Sequence, residues 1–325
     1  MSILVYTENW DGKFKKLSFE LVSYASEIAK KMNTSAIALS IGKVEEDELQ
    51  KLGNYGAEKI ISVSDEKYKV LDNQTFSKII AEVADKEDSE IIVFAHNNSG
   101  KALAPRVSVK LHAGLVSGVM ALPSNFENFT VCKKAFTGKA IANVVIKSPK
   151  KVLTLSQNSF GLIESENSST IENFSPELSD ADFTTKVKEV NKITGKVILT
   201  DAEIVVSGGR GMKSPDNWAP IEELAELLGA ATACSRPVSD EEWRPHGEHV
   251  GQTGKIIAPN LYFALGISGA IQHLGGVSSS KYIVAINTDN EAPIFESADY
   301  GIVGDVHKLI PELISEIKSL KESEN

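Results

Sequence analysis

Apolar runs of strand length alternate with helically spaced apolar positions along most of this chain, and that alternation leaves few folds open to it. Residues 3–6 read as a strand, and Leu17, Leu21, Ala25, Ile28, Ala29 and Met32 follow at helical spacing before a second strand at 36–41. Residues 60–63 and 91–95 continue the series, with Phe76, Ile79, Ile80 and Val83 marking a helix between them. Strands joined through helices pair in parallel, so the first half predicts a mostly parallel sheet flanked by helices. From 114 to 163 the pieces shorten and turn residues such as Asn125 and Pro149 separate them, which we read as an extension of that sheet.

The pattern then stops and restarts. Residues 164–182 are rich in Ser, Asn, Asp and Glu with few large apolar side chains, the composition of a solvated connector. Beyond it strands are predicted at 204–206, 232–234, 261–265 and 282–286, with helices at 220–228 and at Val306, Leu309, Leu313 and Ile317. A chain of 325 residues suits two α/β domains. The expected division is residues 1–190 and 191–325, each domain a mostly parallel sheet between helices and the second Rossmann-like.

Charge and cysteine usage exclude several functions. With 34 basic against 44 acidic residues the net charge is −10, which argues against a nucleic-acid surface. Cys132 and Cys234 are far apart and form no C-x-x-C pair, so buried free thiols are expected rather than a zinc site or redox dithiol, and no metal is expected. The N-terminus has no signal or transit pattern and no apolar run spans a bilayer, so the expectation is a cytoplasmic protein without membrane insertion.

In open α/β sheets ligands bind beyond the C-terminal ends of the strands, and in the second domain those ends carry Gly, Ser, Thr and Arg. After the strand at 204–206 comes Ser207-Gly-Gly-Arg-Gly-Met, flexible backbone with Arg210 available to a phosphate. It is not a full G-x-G-x-x-G, since Ser214 stands at the third glycine, and a tight structural turn is an equal reading. Ser235 and Arg236 follow the next strand, with Pro237 expected to prevent helix through Arg236. The 250–255 segment lacks P-loop spacing, but its amides and the side chains of Gln252 and Thr253 could hold a flat heterocycle. The strand at 261–265 enters a glycine turn and a short helix expected to begin near Ser268, with amides facing an electron-rich atom and His273 about one turn inside. Asn287 and Asp305 are polar strand-end residues that could meet nucleotide hydroxyls, or equally form a turn or an N-cap.

The run Leu261-Tyr-Phe-Ala-Leu-Gly-Ile-Ser-Gly-Ala-Ile-Gln-His, with Ile283-Val-Ala-Ile-Asn, resembles the signature of electron transfer flavoprotein alpha subunits (the ETF alpha/FixB family). Val205-Val-Ser-Gly-Gly-Arg-Gly, Cys234-Ser-Arg, Val250-Gly-Gln-Thr-Gly-Lys and Ala298-Asp-Tyr-Gly-Ile-Val-Gly-Asp extend the likeness over the second domain. The first domain is similar in pattern rather than motif. The resemblance implies an electron carrier, not an enzyme with its own substrate, holding one FAD in the second domain, while the first packs on a beta subunit that carries AMP or a second FAD. It implies donor dehydrogenases such as acyl-CoA dehydrogenases of fatty acid β-oxidation, and a membrane ETF-quinone oxidoreductase as acceptor.

Carried over by residue, Arg210 and Ser235 are implied FAD contacts, Arg210 on the phosphate side. Val250, Gly251, Gln252 and Thr253 would line the flavin with Ser268, Gly269, Ala270, Ile271, Gln272 and His273. Asn287 and Asp305, with Val306 beside it, would lie toward the adenosine. Arg236 is implied over the isoalloxazine, Thr253 near N5 and His273 near the pyrimidine carbonyl, each tuning the flavin without acting as acid, base or nucleophile. A charge-assisted hydrogen bond of about 1.5–3 kcal/mol would move a one-electron potential by roughly 65–130 mV at about 59 mV per tenfold.

Other readings remain open on the sequence. A flavin-based electron-bifurcating complex is one, although two cysteines cannot ligate an iron–sulfur cluster of its own. An NAD-dependent dehydrogenase lacks the glycine fingerprint and an acid–base constellation. A non-redox nucleotide sensor would be colourless.

Overall fold

The computed structural model describes residues 1–165, 169–183, 185, 187–190 and 197–323. The chain divides into two compact units, Met1–Val190 and Asn191–Asn325.

The first unit begins with β1 (Ser2–Thr7), a small hairpin of β2 (Asn9–Trp10) and β3 (Lys13–Phe14), α1 (Lys16–Met32) and β4 (Ser35–Ile41). α2 (Glu46–Gln50), β5 (Lys59–Val63), α3 (Asn73–Lys86), β6 (Ser89–Ala95) and α4 (Asn98–Lys110) follow. β7 (Gly114–Val119), β8 (Thr130–Ala135), β9 (Ala140–Val145), β10 (Lys151–Leu155) and β11 (Thr170–Asn173) complete it. The sheet runs β11-β5-β4-β1-β6-β10-β7-β8-β9. β1 pairs in parallel with β4 and β6, and only β8 and β9 add antiparallel strands at one end.

Every residue of β1 is buried, because helices cover both faces of the sheet. Its side chains alternate between two cores. Ile3 and Val5 meet Leu21, Ala25 and Ile28 of α1, while Leu4 and Tyr6 meet Ile79 and Ile80 of α3 and Leu103 of α4. Burying one such aliphatic side chain contributes about 1.5–3 kcal/mol. α3 starts where Asp72 accepts backbone hydrogens from Gln74 and Thr75 at 2.9 Å, and α1 stops at Asn33, whose φ of 53° is left-handed.

Two expectations for this unit need correction. Residues 164–182 are not only a solvated connector: β11 lies within them and pairs in parallel with β5 at the sheet edge. An edge strand exposes one face and one flank, so a polar composition does not exclude it. The stretch at 114–163 is not only an extension either, since β10 inserts between β6 and β7 inside the sheet.

The second unit contains β12 (Ile204–Gly208), α5 (Ala219–Leu228), β13 (Ala231–Cys234), α6 (Arg236–Asp240), β14 (Leu261–Leu265), α7 (Ile271–Val277), β15 (Tyr282–Asn287), β16 (Tyr300–Val303) and α8 (Val306–Ser323). Its sheet is parallel throughout in the order β13-β12-β14-β15-β16. Val205, Tyr262 and Ala264 face one core and Val206, Phe263 and Leu265 the other. The chain leaves β12 toward β13 on one side and returns to β14 on the other, so the direction of winding reverses between β12 and β14, where a doubly wound sheet opens its crevice. The strand β16, implied by reading Asp305 as a strand-end residue, lies fully exposed at the edge. Among the described residues no helix is long and apolar enough to cross a membrane.

Candidate functional site

Two backbones meet at the β12–β14 reversal. The amide of Gly209 donates to the Leu265 carbonyl at 2.9 Å and that of Gly211 to the Gly266 carbonyl at 3.0 Å. A Cβ on Gly211 would stand 2.6 Å from Gly266 Cα, and one on Gly209 would overlap the Gly266 carbonyl oxygen. Only glycine permits this approach, so the partial glycine motif is at least a structural turn. It leaves Arg210 between the two glycines, exposed and 4.0 Å from Glu241.

β13 ends beside it. The Ser235 amide donates to the Gly208 carbonyl at 3.1 Å, and Val250 donates to the Cys234 carbonyl at 3.0 Å, bringing the 250–254 loop alongside. Arg236 is the first residue of α6, contrary to the expectation that Pro237 would exclude it from a helix. Proline is at home in a first turn, where its missing N–H has no partner to lose. The Ser235 side chain does not cap α6 and is nearly buried. Arg236 pairs with Asp240 at 3.2 Å and sets Nη1 3.5 Å from Thr253 Oγ1, joining two predicted site residues 17 positions apart.

The 250–254 loop packs on the turn after β14. The Gln252 amide donates to the Gln272 carbonyl at 2.7 Å, and a Cβ on Gly276 would stand 2.5 Å from Gly251 Cα. α7 begins at Ile271, three residues later than expected, because the segment before it is held outside the helix, with the Ser268 carbonyl accepting from the Ile294 amide at 3.0 Å. Gly269 has a φ of +85° and a Cβ on it would stand 2.3 Å from the Ile294 backbone nitrogen, two reasons why no side chain fits. Gln252, Thr253, Ser268, Ala270, Ile271 and Gln272 present exposed side chains, while Val250, Gly251 and Gly269 are buried under them.

His273 is turned into the protein. It is 6% exposed, and its Nε2 lies 2.8 Å from the Tyr262 hydroxyl. Burial pushes its pKa down to about 4, with the backbone of Val250 acting in the opposite sense and His249 in the same one. Cys234 is buried, and desolvation pushes its thiol up to about 12, so it stays protonated. Cys132 is only half-buried, against the expectation of two buried thiols, because it lies on the thinly covered β8.

The remaining predicted residues hold turns. Asn287 donates to the Ile267 carbonyl at 2.9 Å and accepts from the Asp289 amide at 3.0 Å. Asp305 accepts from the His307 amide at 3.0 Å ahead of α8 and lies 3.7 Å from Lys213, and Val306 is buried as the first residue of that helix. Sequence reasoning passed over Tyr262, Ser207 and His249, which lie buried beneath the loop. Strand alternation could have placed Ser207 and Tyr262 on one face, but nothing local to either residue announces His273.

Comparison with known proteins shows the family. Residues 3–179 match the model of the electron transfer flavoprotein domain and residues 198–278 that of the electron transfer flavoprotein FAD-binding domain. The electron transfer flavoprotein subunit alpha of Bacillus subtilis (strain 168) is 37% identical over 98% of both chains. That of Clostridium acetobutylicum is 35% identical over 98% of this chain and 97% of its own. The acryloyl-CoA reductase electron transfer subunit beta of Anaerotignum propionicum is 32% identical over 99% and 96%. With both family models matched in order and relatives alike over nearly their whole length, this chain belongs to the electron transfer flavoprotein alpha-subunit family.

Proposed function

We propose that the chain binds FAD across the C-terminal ends of β12, β13 and β14 and, with a beta subunit, carries electrons between a donor dehydrogenase and an acceptor. The observation that carries this is the convergence of Arg210, Arg236 and Thr253 from three separate segments onto one exposed rim. Two arginines at strand ends suit the pyrophosphate and a ring that gains negative charge on reduction. The close glycine backbones at 209, 211 and 266 fit such a ligand, since they keep the crevice floor low. Bound FAD would supply the centre that accepts and releases electrons.

Arg210 would hold the phosphates, and Arg236 would set positive charge over the ring with Thr253 at its edge. The turn at 268–272 and the 250–253 loop would line the ring and shield it from bulk water. Asn287 and Asp305, with Val306 behind them, would shape the adenosine end chiefly through the turns they hold. The first unit would pack on the beta subunit, which would carry AMP in a simple carrier or a second FAD in a bifurcating one. Acyl-CoA dehydrogenases are the donor class we favour, with a quinone oxidoreductase at the membrane as acceptor and the protein itself in the cytoplasm.

The second reading, service to a reductive or bifurcating complex, is favoured by the likeness to a subunit named for acryloyl-CoA reductase. Co-expression with the beta subunit, followed by size-exclusion chromatography at flavin and protein wavelengths, tests the proposal. A yellow one-to-one heterodimer is expected, and one FAD per complex identifies the simple carrier where two identify the bifurcating one. A colourless complex, or FAD retained by residues 1–190 alone, would refute the site.

A further inference from the structure

The loop at 250–254 is folded over the ring of a histidine that the proposed FAD contacts do not include. His249 is 3% exposed. A Cβ on Gly254 would stand 2.8 Å from its Nδ1 and one on Gly251 3.4 Å from its Nε2, so two glycines of the loop lie against the two ring nitrogens. The backbone keeps the ring there: the Lys255 amide donates to the His249 carbonyl at 2.9 Å, and the His249 amide donates to the His246 carbonyl at 3.2 Å. Nδ1 is buried and has no hydrogen-bond partner among the described residues. A buried polar atom left so costs stability, and such atoms are rare enough to ask for a reason.

The charges that face this ring offset one another. Arg236 and Asp240 of α6 act on it with opposite signs and are paired with each other at 3.2 Å. Glu248, the preceding residue, is held by Arg244 through hydrogen bonds of 2.8 and 3.0 Å. Cys234 of β13 bridges to His249 through the backbone and stays protonated, and His273 of α7 is kept neutral by burial. Burial first, then His246 and Arg236, hold the imidazole of His249 below its usual range, with Asp240 opposing them. The ring is therefore uncharged at neutral pH. Beside it His246 is exposed, with ring centroids 5.6 Å apart, and offers a proton a way in from solvent.

We propose that His249 takes up a proton from solvent when FAD bound over the 250–254 loop is reduced, so that the added charge is offset from beneath that loop. Arg236 links the two sites: it acts on His249 and also reaches Thr253, and both are assigned above to the flavin ring. Negative charge arriving there upsets the balance around His249, and inside a protein such an attraction is far stronger than in water. The electron comes from the donor dehydrogenase, which is oxidised as the flavin is reduced. The proton leaves hydronium and forms an N–H bond on the imidazole, so the net charge of the site is unchanged. Linkage makes the effect mutual, since the proton favours reduction by the same factor as reduction favours the proton. The inference rests on the FAD reading.

Spectroelectrochemistry of the heterodimer at a series of pH values tests this, with His249→Gln beside the wild type and His249→Asn where that variant does not fold. Flavin content is read first. A wild type without FAD refutes the function proposed above and this inference with it, whereas the outcomes below bear on His249 alone. The wild-type potential should rise more steeply than the variant's as pH falls, with an upper limit of about 59 mV for each tenfold rise in proton concentration at one proton per electron. Protonation of the flavin itself is common to both proteins, so the difference in slope belongs to His249. Nitrogen-15 NMR of the complex with this chain histidine-labelled should show the signal missing from the variant titrating below 6.5 in the oxidised protein and higher after dithionite reduction. Equal slopes overturn the proposal, as does a potential displaced equally at every pH, the result of a merely structural role. A titration of His249 that does not move on reduction overturns it too.

Discussion

The two units are built alike and finish their strands differently. In the first, the sheet also reverses its winding, between β1 and β6, but the polar groups there meet one another. His96 Nδ1 lies 2.7 Å from Thr154 Oγ1, which accepts from the Gly118 amide at 2.9 Å, and Asn97 donates to Glu8 at 3.0 Å while capping α4 through Gly100. In the second, the corresponding ends leave Arg210 and Arg236 exposed beside the bare backbone of Gly209 and Gly211. A parallel sheet offers a crevice wherever its winding reverses, so the architecture alone does not make a site. The side chains after each strand decide whether the crevice is closed by its own hydrogen bonds or open to a ligand.

The largest expected effect comes from adding a methyl group at the matched glycines. A Cβ on Gly100 would overlap the Ala95 carbonyl oxygen, and one on Gly209 the Gly266 carbonyl oxygen. Gly100→Ala and Gly209→Ala should each cost about 1–3 kcal/mol or more, measured by denaturant unfolding. Only Gly209→Ala should also lower FAD content, and equal loss of FAD from both would erase the distinction between the units.

Acidification should act on both units through histidines held neutral. Burial pushes His96 and His273 each down to about 4 from the usual 6.5, with Lys101 and Lys133 adding to the effect at His96. In this window the unfolded ring takes up a proton that the folded ring refuses, so stability is complete above about pH 6.5 and falls as pH drops toward 4. For His273 the full loss is about 3 kcal/mol at 1.36 kcal/mol per unit. His273→Gln should flatten that part of the pH–stability curve, and an unaltered curve would show that the ring is not buried neutral.

Replacing Arg236 with Ala should leave unfolding nearly unchanged, because its ion pair with Asp240 is exposed on both sides and such pairs are worth little. The potential of bound FAD should fall by roughly 65–130 mV if one charge-assisted contact of about 1.5–3 kcal/mol is lost. Spectroelectrochemistry measures it, and a potential unmoved within error removes Arg236 from the ring. The smallest effect is expected at Asn287→Ala, about 1 kcal/mol of stability for its hydrogen bond to Ile267. FAD affinity should change less than tenfold, and a larger loss in a calorimetric titration would mean that Asn287 meets the nucleotide directly.

The alternation of short apolar runs with helical spacing was enough to place β1, β4, β5 and β6 and β12, β13, β14 and β15, because a strand buried on both faces must be apolar along its length. Arg210 and Arg236 could be named as candidates for a related reason: ligands meet a doubly wound sheet at its strand ends, and the residues there can be read off once the strands are known. β11 was hidden because an edge strand needs little apolar surface, and α6 because proline in a first turn reads locally as a break. The inward turn of His273 was hidden too. The family resemblance implied a flavin contact for it, and only the structure shows its Nε2 2.8 Å from the hydroxyl of Tyr262, eleven residues earlier on a strand.

The sequence by itself determined the class of fold and the family, since each is carried by spacing or by residues contiguous in the chain. Tertiary structure alone decided which polar groups meet: Arg236 with Thr253, Asn97 with Glu8, Tyr262 with His273. Periodicity reports which face a side chain takes on its own element. Strand register and the packing of a loop against a distant helix then choose its neighbour, and both arise from the simultaneous burial of segments far apart in the chain.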